Sequence, residues 1–223
     1  MKILGIDEAG RGPVIGPMVI AYAMTDEEGI GNLERMGIKD SKLIAPGRRE
    51  ELFEILTEAD YLEYDIIIVE PEEIDKTVDS DDSNLNWLEA DKSIMLINIA
   101  EPDKAILDCP SNNINAYSNY IKEKISNKLK KKPEIAAEHK ADAKYVIVGA
   151  ASIIAKVTRD RMIRELKKKL NTDIGSGYPS DPITVDFLRK NYDNPELQKH
   201  IRKSWESYRR IVSDNKQKRL GEF

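Results

Sequence analysis

A short apolar run, Ile3 to Ile6, ends in two adjacent carboxylates, Asp7 and Glu8, and then in the turn Gly10-Arg11-Gly12-Pro13. Apolar runs of about four to eight residues bounded by glycine or proline read as buried strands. The run therefore predicts a strand over Lys2–Asp7 that delivers negative charge to the edge of a sheet. A second apolar run, Pro17–Met24, begins just past the glycines, and the spacing suits an antiparallel pair. Acids placed there hold charge at a fixed position that a substrate can still approach, as one wall of a metal site facing a nucleic-acid backbone would.

Further along, the periodicity predicts a helix over Arg48–Ala59 with Pro46 near its start, preceded by Asp40-Ser41-Lys42 in a loop. Isoleucine-rich Tyr64–Val69 reads as a strand, Asn84–Ala100 as a helix, and Lys104–Asp108 as a short strand that again ends in an acid. An amphipathic helix over Ala116–Lys131, a strand over Glu134–Glu138 and a long helix over Tyr145–Leu170 follow. Met95, Met162 and the apolar stripes read as core. After Gly175-Ser176-Gly177-Tyr178-Pro179 the character changes: Asp181 or Ser180 can cap a helix from Pro182, and Ser204 another through Asn215. The pattern predicts an α/β core over residues 1–170 and a helical C-terminal region over 171–223.

One cysteine, Cys109, leaves no internal disulfide and suits a reducing, cytoplasmic setting. The N-terminal apolar stretch is too short for a secretory signal, and no run approaches the roughly 20 apolar residues of a membrane span. The net charge of −5 hides an asymmetry. Acids crowd Glu58–Asp91, whereas Lys199, Arg202, Lys203, Arg209, Arg210, Lys216, Lys218 and Arg219 form a basic C-terminal stretch. A local basic face matters more to a polyanion than the total charge does, although the same stretch also fits an ordinary solvated helix. Nothing in the chain requires more than a monomer.

Neighbouring strand residues point to opposite faces, so Asp7 and Glu8 are expected to share one site only past the strand's end, where the turn breaks the pleat. Asp108 would join them if its strand lies beside the first. Asp142 precedes the long helix, whose N-terminus tolerates an acid. Each acid alone also fits a turn or cap. Together, without bases among them, they would repel one another and call for a divalent cation. An all-oxygen donor set suits Mg²⁺ or Mn²⁺, and two such ions about 3.5–4 Å apart support phosphodiester cleavage. His139 and His200 are most simply surface residues, though His139 lies close enough in sequence to Asp142 to assist proton transfer.

These residues resemble ribonuclease HII in order and spacing. The resemblance rests on Gly5-Ile6-Asp7-Glu8-Ala9-Gly10-Arg11-Gly12-Pro13, Asp40-Ser41-Lys42, Leu107-Asp108, Lys140-Ala141-Asp142, Ala150–Asp160 and Gly175–Asp181. It extends from residue 1 to about 212 and looks like the archaeal branch; Gly149 departs from the serine expected there. It implies an RNase H-like fold, a five-stranded mixed sheet flanked by helices, with a helical C-terminal part that helps grip the duplex. It also implies Asp7, Glu8, Asp108 and Asp142 as catalytic metal ligands. The implied activity is cleavage of the RNA strand of RNA/DNA hybrids and nicking 5′ of single ribonucleotides in duplex DNA, leaving 3′-hydroxyl and 5′-phosphate ends.

Gly10 and Gly12 let the backbone approach a phosphate or ribose, and Arg11 supplies charge. Lys42 and Lys156 are candidate phosphate contacts, and each fits an ordinary solvated lysine equally well. Telling RNA from DNA requires sensing the 2′-hydroxyl, and Tyr178, between Gly177 and Pro179, is a candidate to stack on that sugar, with a core tyrosine as its plain alternative. The tail 217–223 resembles a peptide that docks on a sliding DNA clamp through Gln217, Leu220 and Phe223; a frayed terminus is its plain alternative. Two other classes compete. A non-catalytic hybrid-binding module would gain nothing from aiming carboxylates at phosphates. A sugar-kinase or actin-like ATPase would need a glycine-rich phosphate loop that the chain does not repeat.

Overall fold

In the computed structural model of the chain, residues 1–38, 44–127, 129 and 131–220 are described, 218–220 by their backbone alone. Lys42 and Phe223, and the side chain of Leu220, lie outside the described residues.

Five strands form one mixed sheet: β1 (Ile3–Ala9), β2 (Met18–Thr25), β3 (Glu63–Val69), β4 (Lys104–Asp108) and β5 (Glu134–Glu138), in the spatial order β3-β2-β1-β4-β5. β1 pairs antiparallel with β2 and parallel with β4, and β4 pairs parallel with β5. The helices among the described residues are α1 (Glu27–Arg35), α2 (Pro46–Glu58), α3 (Pro71–Val78), α4 (Leu85–Ala100), α5 (Ile114–Lys124), α6 (Ala141–Lys144), α7 (Val146–Leu170), α8 (Pro182–Asn191) and α9 (Glu206–Leu220). This is the RNase H-like α/β architecture that the resemblance implied.

β4 and β5 form over the predicted residues, and α8 starts at Pro182 with the Asp181 side chain accepting from the Ile183 N–H. Other expectations need correction. β1 continues to Ala9 instead of ending at Asp7. α5 stops at Lys124 rather than Lys131, because buried Ile125 turns extended (ψ 136°) and the Ser126 N–H goes to Asn98 Oδ1 at 3.0 Å. On α4, Met95 is 49% exposed and Ile99 62%, so Met95 is not core. α1 and α3, short helices of 9 and 8 residues with few apolar positions, are absent from the sequence reading. α1 carries two unfavourable glycines and depends on its Asp26 cap, which accepts from the Gly29 N–H. α3 sits in an acidic run, and its signals are Pro71 at the first position with Glu72 and Glu73 behind it.

The chain groups into two compact units. The first comprises Met1–Ala9, Val19–Ile68 and Leu85–Thr158; the second Gly10–Met18, Val69–Asn84 and Arg159–Phe223. In the first, the small-residue start of α7 packs on β1. A Cβ at Gly5 would lie 2.6 Å from the Ile147 carbonyl carbon, so only glycine admits the helix this close. Leu4, Leu107, Ala150, Ala151, Ile153 and Ile154 are fully buried in this layer. The second unit has its own apolar core, which includes Val14, Ile163, Ile174, Leu188 and Ile201.

Candidate active site

β1 and β4 run parallel with Ile6 opposite Leu107, so the next residue of each strand, Asp7 and Asp108, stand side by side. Asp7, Glu8 and Asp108 each offer a carboxylate oxygen, and these oxygens lie within 4.8 Å of one another. The acids converge inside the strand and not past its end, since β1–β2 pairing continues through Glu8 opposite Ile20 and Ala9 opposite Val19. Pleating starts the two side chains on opposite faces. Asp7 compensates by turning its Oδ1 back to accept the Glu8 N–H at 2.8 Å, and Glu8 has an extra methylene with which to reach.

Asp142 is not a member of this three-acid group. It is 2% exposed and sits on the one-turn helix α6, which extended Tyr145 separates from α7. A hydrogen bond from the Ala141 N–H to Asp108 Oδ1, 2.8 Å, ties α6 to the end of β4 one residue before Asp142. His139 is exposed, with Nδ1 2.9 Å from the Cys109 carbonyl oxygen.

Burial pushes the Asp7 carboxyl up to about 6, against the opposing pull of Lys156 and of a hydrogen bond from Ser152. Asp108 raises it further and the Glu8 amide lowers it. Lys156 Nζ stands 3.8 Å from Asp7 Oδ2 and also hydrogen-bonds the Ser152 hydroxyl. Sequence reasoning missed Ser152, which lies one helical turn before Lys156 on the same face of α7. It missed Glu89 as well, a buried α4 acid that joins Glu8 in raising the Tyr117 phenol, whose upward shift comes first from its own burial. A glutamate within an apolar stripe is the one signal that could have found Glu89. The three carboxylates, with no sulfur or nitrogen ligand among them, fit a hard divalent cation, which would also offset the burial cost and the Asp108 repulsion that raise Asp7.

In the second unit, the glycine turn is held by a residue that the charge tally counted as surface. Arg202 is fully buried, not part of a basic face. Its Nε donates to the Gly16 carbonyl at 3.1 Å, and its Nη1 and Nη2 to those of Arg11 and Gly10 at 2.9 and 2.6 Å. Trp205 Nε1 donates to the Gly12 carbonyl at 3.1 Å. Gly10 needs glycine, since its φ is 87° and a Cβ would run into the Arg159 side chain. Tyr178 follows Gly177 (φ 82°), whose carbonyl accepts from the N–H groups of Val14 and Ile15 at 2.8 and 3.2 Å. The Tyr178 ring is 40% exposed and lies over Gly12, with the Arg159 guanidinium 5.6 Å from its centre. Burial lowers the Arg159 pKa. Gly10, Gly12 and Tyr178 thus come together, with the Arg11 side chain half-buried and its carbonyl on Arg202.

A five-stranded mixed sheet in this order, with carboxylates on adjacent parallel strands, places the chain in the class of RNase H-like proteins. Within that class the ribonuclease HII family matches residues 4–208. A ribonuclease HII of Methanocella arvoryzae is 43% identical over 222 residues, covering 99% of this chain and 96% of the relative. The crystal structure of ribonuclease H2 from Pyrococcus horikoshii superposes with a TM-score of 0.84 at 45% identity, covering 97% of this chain and 100% of that one. The PCNA:RNase HII complex from Archaeoglobus fulgidus matches with a TM-score of 0.81 at 36% identity over 92% of this chain and 96% of that one. The chain belongs to the ribonuclease HII family, metal-dependent endonucleases of the ribonuclease H type 2 class that cleave RNA in RNA/DNA hybrids. Among the described residues no helix is long and apolar enough to cross a membrane.

Proposed function

We propose that this enzyme cleaves the RNA strand of RNA/DNA hybrids and also nicks 5′ of single ribonucleotides in duplex DNA, leaving 3′-hydroxyl and 5′-phosphate ends. The observation that carries the reading is the convergence of Asp7, Glu8 and Asp108 oxygens within 4.8 Å on adjacent strands. Asp7, Glu8 and Asp108, with Asp142 as fourth acid, would hold Mg²⁺ or Mn²⁺. A pair of such ions held there would supply water activation and charge stabilisation at the leaving oxygen for phosphodiester hydrolysis. The backbone at Gly10 and Gly12 meets the sugar-phosphate, Arg11, Lys42 and Lys156 contact phosphates, and Tyr178 stacks on the ribose whose 2′-hydroxyl marks the cut. Exposure of the Tyr178 ring over a glycine supports its assignment.

On this reading residues 1–170 carry the chemistry and 171–223 help hold the hybrid. We further propose that the protein works as a monomer in the cytoplasm and docks on a sliding clamp through Gln217, Leu220 and Phe223. Support for the clamp is the tail pattern together with the Archaeoglobus fulgidus relative, solved as a complex with PCNA.

The test is a cleavage assay on a DNA duplex carrying one ribonucleotide and on a full hybrid, with and without chelator. The expected result is one metal-dependent nick 5′ of the ribonucleotide and multiple cuts in the hybrid. Cleavage that survives chelation would overturn the reading. For the tail, equal clamp affinity of the 217–223 peptide and its Phe223→Ala form would dismiss the docking role.

A further inference from the structure

Lys156 stands out among the cations of the first unit. Its side chain is 18% exposed and its partner Asp7 5%, whereas the Lys124–Asp91 pair of the same unit is 52% and 48% exposed. Exposed pairs of the second kind contribute little. The Lys156 pair is built in: Gly5 lets α7 press against β1, and that contact brings the Ser152–Lys156 face alongside Asp7 two residues further on. Ser152, itself fully buried, hydrogen-bonds both the lysine and the aspartate. The ammonium is thus anchored at two points beside an acid of the three-carboxylate group. A divalent cation held by those oxygens would share Asp7 with the ammonium, and like charges repel strongly in a poorly solvated setting.

We propose that Lys156 is the internal counter-cation of the acid cluster, competing with divalent ions for Asp7 and thereby setting the affinity of the site for metal. The inference rests on the reading of Asp7, Glu8 and Asp108 as metal ligands. It makes Lys156 a positioning residue with two alternative anions. Asp7 is its partner when no ion is bound, and a substrate phosphate offers a second, so metal and nucleic acid bind with positive coupling through one side chain. By reciprocity, each would then tighten the other equally.

The test is calorimetric titration of Mn²⁺ into the wild type, Lys156→Met and Lys156→Arg at about pH 8, with and without a non-cleavable all-DNA duplex. Thermal unfolding in EDTA shows that each variant is folded, and Lys156→Gln carries the test if Lys156→Met is not. The expected result is about tenfold or greater tightening of Mn²⁺ in Lys156→Met, with a lower unfolding midpoint in EDTA and a smaller gain from duplex. Lys156→Arg should stay near the wild type. Unchanged or weaker Mn²⁺ binding by folded Lys156→Met overturns the inference while leaving the metal site standing. Absence of Mn²⁺ binding in the wild type removes the metal site and the inference together.

Discussion

The acid cluster and the glycine turn solve opposite problems of buried charge. In the first unit the buried group is an anion, Asp7, whose burial, with a smaller push from Asp108, drives its carboxyl up to about 6 against the pull of a lysine 3.8 Å away. In the second the buried group is a cation, Arg202, whose guanidinium is satisfied by the backbone carbonyls of Gly10, Arg11 and Gly16. One region holds its charge in an energetically uneasy state that a ligand can relieve. The other uses its charge as a fastener and leaves it nothing to do but hold a loop in shape. Burial of an ionised group therefore marks chemistry only where its partners fail to satisfy it.

The sharpest way to break the contrast is Asp7→Asn. Cleavage should fall by roughly a thousandfold or more, about 4 kcal/mol of transition-state stabilisation, with duplex affinity retained; steady-state assays and binding titrations check this. In chelated protein the same change should stabilise the fold at neutral pH. A carboxyl whose folded pKa of about 6 exceeds its unfolded value of 3.8 binds more protons when folded. Its contribution is therefore complete at low pH and lost as pH rises from about 4 through about 6, a cost on the order of 1–3 kcal/mol. Urea melts across that range should show the slope in the wild type and its disappearance in Asp7→Asn.

Arg202→Met should do the reverse and lower stability at every pH by about 3 kcal/mol, because three buried carbonyls lose their donor. Denaturation midpoints in urea check this, and Arg202→Lys should recover only part of the loss. A surface role for Arg202 would instead predict salt-dependent binding defects with unchanged stability. Tyr178→Ala should move stability by less than about 1 kcal/mol while reducing preference for a single ribonucleotide roughly tenfold, measured as kcat/KM on matched duplexes. The smallest effect belongs to Met95→Gln, within about 0.5 kcal/mol by thermal melts, since that side chain is mostly in water.

The acid cluster was legible because strand runs and acid-terminated strands are local patterns: Asp7 and Asp108 each close an apolar run, and only the β1–β4 pairing had to be supposed. What failed there was the face rule for Glu8, because it counts where side chains start and not how far they reach. Arg202 was not legible. A basic residue in a basic stretch looks solvated, and its carbonyl partners lie near the opposite end of the chain. Ser152 and Lys156 were visible as a specific block without their geometry, which depends on Gly5 admitting α7. Met95 misled because its helical spacing matches the buried stripe while the helix turns that position outward.

β1 is clamped on both flanks, by β2 through its whole length and by β4 from Ile3 to Ile6. A sheet so gripped acts as a ruler. Inserting one residue between Ile3 and Asp7 would exchange which carboxylate faces which side, and no adjustment of the loop beyond could restore it. The same insertion between Thr25 and Glu27 would leave that ladder in register and act only on the entry to α1, where Asp26 caps the helix. The enzyme's tolerance of length change should therefore alter abruptly from one end of its first hairpin to the other, with the stretch before Glu8 admitting substitution but never addition.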